Sequence, residues 1–146
     1  MKPLSIGKLS EQTGVKVTTI RYYESIGLVD EPHRSPSKRR LYDEDAVQTL
    51  LFIRHGRELG FSINAIQNLL GLQTSPDRDC SEVNAIATEQ LMQIQQRIAQ
   101  LNALETELKR MIRECEGGRV GTCGVIAALN NHGKCVTGEH ARVLPF

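Results

Sequence analysis

The stretch VTTIRYYESIGLV, residues 17–29, decides how the rest of the chain is read. It sets Arg21, Tyr22 and Tyr23 on one short segment that opens with Thr18 and Thr19, and within a dozen residues the chain reads HRSPSKRRLYDED. The segment is too polar and too short to make a core helix alone. Another short segment, IGKLSEQTGV, precedes it. Ser5 is a candidate N-cap and Gly14 a candidate stop, which predicts a helix over 6–13. A second helix is predicted over 17–26, with Ile20 and Tyr23 on its apolar face and Gly27 at its end. Two helices joined by a tight turn, here Thr13-Gly14-Val15, form a helix-turn-helix unit.

Outward from this pair, Leu28-Val29 and Leu41-Tyr42 flank a Pro/Ser/basic tip and predict a small hairpin, a wing. Asp43 caps a predicted third helix over 44–58, and Ser62 a fourth, INAIQNLLGL. Ser75-Pro76-Asp77 breaks the chain. From Ser81 to Cys115 there is no Pro or Gly, and Leu91, Ile94, Ile98, Leu101, Leu108 and Ile112 step by threes and fours. That predicts a helix of about 50 Å at 1.5 Å per residue. Its apolar row needs a partner, and the chain offers no second long helix, so a homodimer is expected. After a glycine-containing loop, CGVIAAL reads as a short helix and the remainder as a polar tail. The expected divisions are a head over 1–75, a hinge and dimerisation helix over 76–115, a loop and short helix over 116–130, and a tail over 131–146.

Composition narrows the function. Apolar residues make up 40% of the 146 and there is no Trp, so the core is expected to be aliphatic and modest. No apolar run is long enough to span a bilayer, and no signal-peptide pattern opens the chain, which reads as cytoplasmic. The net charge is only +1, but Arg34, Lys38, Arg39 and Arg40 cluster on one loop with no acid among them. A solvated loop would carry the same charges. No acid–base pair stands near the cysteines and no Gly-rich phosphate loop is present, so nothing points to an enzyme; a metal chaperone in which the basic loop is incidental is the competing reading from another class.

Four cysteines stand at 80, 115, 123 and 135. In a reducing compartment they are not expected to form structural disulfides. Metal binding, redox sensing or simple burial remain open for them. Cys115 and Cys123 enclose a loop, 116–122, with three glycines, loose enough to wrap an ion. Three thiolates suit Hg(II), Cd(II), Pb(II), Zn(II) or Cu(I) and disfavour Mg, Ca and Mn. In the tail, His132, Cys135 and His140 form a candidate auxiliary metal set.

Taken together, IGKLSEQTGVKVTTIRYYESIGLV, the wing with Arg34, Arg40 and Tyr42, FIRHGRELGFSINAIQNLL, and the placement of Cys80 and Cys115 about the long helix resemble the MerR family of transcriptional regulators, over roughly residues 4–130. The resemblance implies a mainly α fold: a winged helix-turn-helix head, a long antiparallel coiled-coil dimerisation helix, and a short C-terminal metal-binding loop and helix. It implies a bacterial, cytoplasmic regulator on double-stranded promoter DNA that acts on RNA polymerase indirectly, through the shape of the DNA. Helix 17–26 then enters the major groove, with Lys16, Thr18 and Thr19 at or near base edges. Arg21, Arg34, Arg39, Arg40 and Arg54 are the basic candidates for the DNA surface. Tyr22 is expected to hydrogen-bond a phosphate and Tyr23 to pack inside. The family wing usually carries a Gly-Tyr-Arg tip. Here Lys38-Arg39-Arg40 stand in those places, so no glycine supplies a positive φ.

The same resemblance places Cys80 of one chain beside Cys115 and Cys123 of the other, a site across the dimer. Family members that sense Cu, Ag or Au generally carry a serine in place of Cys80, which points this chain to the divalent branch: Cd, Pb, Hg or Zn. The loop of seven is nearer in length to the monovalent sensors, which keeps a Cu(I) site built on Cys115 and Cys123 alone as the alternative. A metal-free thiol sensor of oxidants or electrophiles is the other alternative of the same build.

Overall fold

The structure, a computed structural model, describes residues 2–115 and 117–131. The chain divides into two compact units, Met1–Ile86 and Ala87–Phe146. In the first, α1 (Ile6–Thr13) and α2 (Val17–Ser25) make the helix-turn-helix. Ser5 caps α1 as expected, its hydroxyl accepting from the Lys8 amide at 3.3 Å. A two-stranded antiparallel hairpin follows, β1 (His33–Arg34) and β2 (Arg40–Leu41), then α3 (Glu44–Glu58) and α4 (Ile63–Gln73). Asp43 and Ser62 cap these helices by accepting from the amides of Ala46 and Ala65, both at 3.1 Å.

One aliphatic core joins these elements. Leu9, Ile20, Leu50, Ile53 and Ile66 are wholly buried, and each contributes about 1.5–3 kcal/mol relative to exposure. Thr13 is buried among them, and its hydroxyl donates to the Leu9 carbonyl at 2.8 Å while accepting from the Val15 amide at 3.3 Å. The buried Thr13 hydroxyl is therefore satisfied both as donor and as acceptor.

Gly14 is required at that turn for two reasons. Its φ of +72° is left-handed, and a Cβ there would stand 2.3 Å from Nη1 of Arg54. Arg54 lies that close because its Nη1 donates to the Thr13 carbonyl at 2.8 Å, while its Nε pairs with Glu58 at 3.2 Å. Helix α3 thus holds the turn between α1 and α2.

The wing corrects one expectation. Leu28 and Val29 are buried in the core and are not a strand; the first strand is His33–Arg34, in register His33 with Leu41 and Arg34 with Arg40. Burial of the 28–29 pair draws the chain inward before it can run beside β2. The glycine-less tip is closed by Lys38 itself, which takes φ +65°. Its amide donates to the Ser35 carbonyl at 2.8 Å, and the Ser35 hydroxyl accepts from the Arg39 amide at 3.1 Å. That is the type I turn plus left-handed residue of a three-residue hairpin loop.

A carboxylate ties wing to helix. Glu24 of α2, with a side chain 9% exposed, accepts from Nη1 of Arg40 at 3.2 Å and from the hydroxyl of Tyr42. Tyr42 is 2% exposed and pairs by backbone with Leu4, at 2.7 and 2.8 Å, so the N-terminal arm closes on the end of the wing.

Helix α5 (Ser81–Cys115) spans 35 residues, followed by a single 3-10 turn (Val120–Thr122) and α6 (Gly124–Asn130). Met111 of α5 and Ala128 of α6 are buried against each other with Val125 beside them. Leu91, Ile94, Ile98, Leu101, Leu108 and Ile112 are all exposed in the single chain. Among the described residues, no helix is long and apolar enough to cross a membrane.

Replacing Gly14 with Ala should cost about 1–3 kcal/mol through left-handed strain, and more where Arg54 is displaced. The urea midpoint should fall with the m-value unchanged; an unaltered midpoint would mean that the turn relaxes freely. A second expectation concerns alkali. Burial above all, then hydrogen bonding to Glu24, pushes the Tyr42 phenol from 10.0 up to about 12. Because the folded value is the higher one, its contribution is whole below pH 10 and is lost as pH rises through about 12. Tyr42→Phe should remove that part of the fall in thermal midpoint between pH 10 and 12, and an identical alkaline fall in both proteins would refute the assignment.

Candidate nucleic-acid interface and thiol site

The residues expected to meet DNA gather on α2 and the wing. Lys16 is the N-cap of α2 with no side-chain capping bond, and Lys16, Thr18, Arg21 and Tyr22 are exposed, whereas Thr19 is half-buried. Thr18, Arg21 and Tyr22 share one face by their spacing of three and four. Tyr23 is buried, as expected, its ring 6.0 Å from that of Tyr22. Arg21 from α2, Arg34 from β1 and Arg40 from β2 line one cleft with Glu24 and Ser25. Of these, Arg40 is committed in part to Glu24, and Arg34 leans its Nη1 toward the Lys38 carbonyl at 3.5 Å. Arg39 is exposed at the tip. Arg54 stands apart from the wing, on the turn between α1 and α2, bound to Thr13 and Glu58.

Sequence reasoning passed over Glu24. An acid among basic and aromatic neighbours was the available signal, since a carboxylate facing a groove of phosphates is repelled unless it is paired inward.

The three cysteines named as metal ligands all stand at helix ends. Cys80 is the free thiol among the described cysteines; it is exposed, and its carbonyl accepts from the Asn84 amide at 2.7 Å, which makes it the N-cap of α5. Cys115 is the last residue of α5 and Cys123 the N-cap of α6. Their Cα atoms are 4.8 Å apart, and the structure joins them in a disulfide. This corrects the expectation that no cysteine pairs. Two turns bring the ends together: the Gly118 amide donates to the Cys115 carbonyl at 3.2 Å, and the Cys123 amide to Val120 at 3.2 Å. At that separation a bond needs no backbone movement.

The first turn of α6 sits directly on this sulfur. The Val125 amide donates to Sγ of Cys115 at 3.4 Å. Gly124 is needed for the approach, because a Cβ there would lie 2.5 Å from Oε2 of Glu114. Glu114 is in turn paired with Arg110 at 2.6 Å, and Arg110 with the buried Glu107 at 2.6 Å. Among the described residues of the single chain, no three His, Cys, Asp or Glu side chains converge as a metal set. The auxiliary candidates His132, Cys135 and His140 lie outside the described residues.

When reduced, the pair fits a soft ion: two sulfur donors held close, with a backbone N–H already directed at one of them.

Comparison with known proteins agrees with this architecture. Residues 4–72 match the profile of the MerR HTH family regulatory protein, and residues 47–111 the profile described as MerR, DNA binding. The chain is 36% identical over 128 residues to the heavy metal-dependent transcription regulator 2 of Rhizobium meliloti (strain 1021), covering 88% of this chain and 87% of that one. It is 36% identical over 127 residues to the HTH-type transcriptional regulator ZntR of Escherichia coli (strain K12), covering 85% and 90%. Among solved structures it is similar to the transcription regulator PbrR691 of Ralstonia metallidurans CH34 in complex with lead(II), with a TM-score of 0.75 and 39% identity over 86% of this chain and 98% of that one. Likeness of this extent, across head and long helix alike, makes the chain a member of the MerR family of DNA-binding transcriptional regulators.

Proposed function

We infer that the chain is a homodimeric activator that binds a two-fold symmetric promoter site and responds to a soft metal ion through Cys80, Cys115 and Cys123. The observation that carries the reading is the pairing of Cys115 and Cys123 at the junction of α5 and α6, in a chain with a DNA-binding head. The exposed apolar row of α5 supports dimerisation, because leaving it in water forgoes about 25 cal/mol for each Å² that a partner helix would cover. In an antiparallel pair of such helices, Cys80 of one chain meets Cys115 and Cys123 of the other.

On the DNA, Lys16, Thr18 and Thr19 face bases, while Arg21, Arg34, Arg39 and Arg40, with Tyr22, grip phosphates; Arg54 braces the turn beneath them. The dimer occupies its site with and without metal, so activation comes from the shape of the DNA and not from its release. Cys115 and Cys123 act by holding their loop closed and α6 against α5, which moves the two heads. Bending and untwisting the DNA between half-sites costs of order 1–6 kcal/mol, drawn from tighter binding of the ion to the activating form.

Cys80 and the lead(II) complex of the PbrR691 relative favour a divalent ion, Cd(II), Pb(II), Hg(II) or Zn(II). A second reading rests on the fact that Cys115 and Cys123 already pair within one chain: the two alone suit linear Cu(I).

Cys80→Ser separates the two. Loss of thiolate-to-metal absorbance and of run-off transcription with Pb(II) or Cd(II), at unchanged operator affinity, is expected. Normal responses to those ions would remove Cys80 from the site. On the DNA side, Arg34→Ala should weaken all sequences alike and flatten the salt dependence by about one unit, whereas Thr18→Ala should change sequence choice. Binding titrations at several salt concentrations on operator and scrambled DNA check both.

A further inference from the structure

The geometry points to a second input at the same loop: we propose that Cys115 and Cys123 form a reversible two-electron redox switch, in which oxidation to a disulfide sets the activated arrangement without metal. The proposal rests on the metal reading for what that arrangement is, and adds a chemically distinct way to reach it. In the disulfide form α6 is already seated on α5. Met111 and Ala128 are buried together, the Val125 amide donates to Sγ of Cys115, and Gly124 lies against Glu114. These are the contacts that loop closure is argued to make. Cys80 takes no part in the bond and remains an exposed free thiol.

The oxidant is a peroxide. One thiolate attacks a peroxide oxygen, the O–O bond breaks, and the sulfur becomes a sulfenic acid as the leaving oxygen takes a proton and departs as water or alcohol. The neighbouring thiolate then attacks that sulfur, the S–S bond forms, and the hydroxide released takes up a proton as a second water. Two thiols lose two electrons and the peroxide gains them. The neighbour is in place for the second step, because the Cα atoms are only 4.8 Å apart. The bond also consumes both thiolates, so the oxidised chain no longer offers this pair to a metal.

The test uses the full chain, reduced, bound to operator DNA under a metal chelator, and treated with stoichiometric hydrogen peroxide. Two of the four thiols per chain should be lost, and peptide mapping should place the bond between 115 and 123. Run-off transcription should rise about fivefold or more, the lower end of ordinary two-state coupling, and fall again with dithiothreitol. The oxidised protein should bind no Pb(II) at this pair. Cys123→Ser should hold operator affinity yet give no intrachain bond and no response to peroxide. A mapped Cys115–Cys123 bond with transcription still at the reduced level would overturn the proposal, as would peroxide joining Cys80 across chains in place of this pair. A parallel arm adds Pb(II) to the reduced protein. Induction there with a silent peroxide arm discards the switch alone, whereas a live peroxide arm with no metal response discards the metal reading and leaves the switch.

Discussion

Glu24 is a carboxylate with little access to water, on a helix whose other face exposes Thr18, Arg21 and Tyr22, and its pairing joins three parts of the head. A buried charge left unpaired costs several kcal/mol, so it must be answered from nearby. Arg40 of the wing and the Tyr42 hydroxyl answer it, and Tyr42 is itself held by backbone pairing to Leu4. One acidic side chain therefore links the N-terminal arm, the wing and α2. The separation of α2 from the wing is set here. Arg54 makes the comparable link on the other side of the helix-turn-helix, between α3 and the Thr13 carbonyl.

The C-terminal unit is built with the opposite economy. Helix α6 has seven residues, too few to be stable in isolation, and the apolar cluster that seats it is small, Met111 and Ala128 with Val125 beside them. The link between Cys115 and Cys123 supplies what packing alone does not. An element whose docking depends on one bond or one shared ion is suited to switching. A thick core beneath α6 would hold it closed regardless of either. The head carries the larger core, and α6 is seated on a small one.

Helix α5 runs uninterrupted for 35 residues, with Cys80 just before its first turn and Cys115 in its last. Cys115 closes the C-terminal end of α5, and its Sγ accepts from the Val125 amide.

What the sequence alone determined is the local and periodic part of this protein. Ser5, Asp43 and Ser62 mark helix starts because a side-chain oxygen must answer amides within the same turn, and Gly14 marks a stop because a residue without Cβ takes a left-handed φ at no steric cost. The threefold and fourfold steps from Leu91 to Ile112 spell a helix with an uncovered row. The shared exposed face of Thr18, Arg21 and Tyr22 on α2 followed from the same periodicity. What the tertiary structure decided depends on residues far apart in the chain. Leu28 and Val29 read as a strand by composition, but the core claimed them and the wing began at His33. Lys38 took the left-handed position because the hairpin register demanded one, whatever residue stood there. Glu24 found Arg40 and Tyr42 sixteen and eighteen residues away, and Cys115 found Cys123 through two local turns. Pairings of this kind are chosen by where a fold can bury a charge or close a loop, and neither propensity nor spacing carries that information.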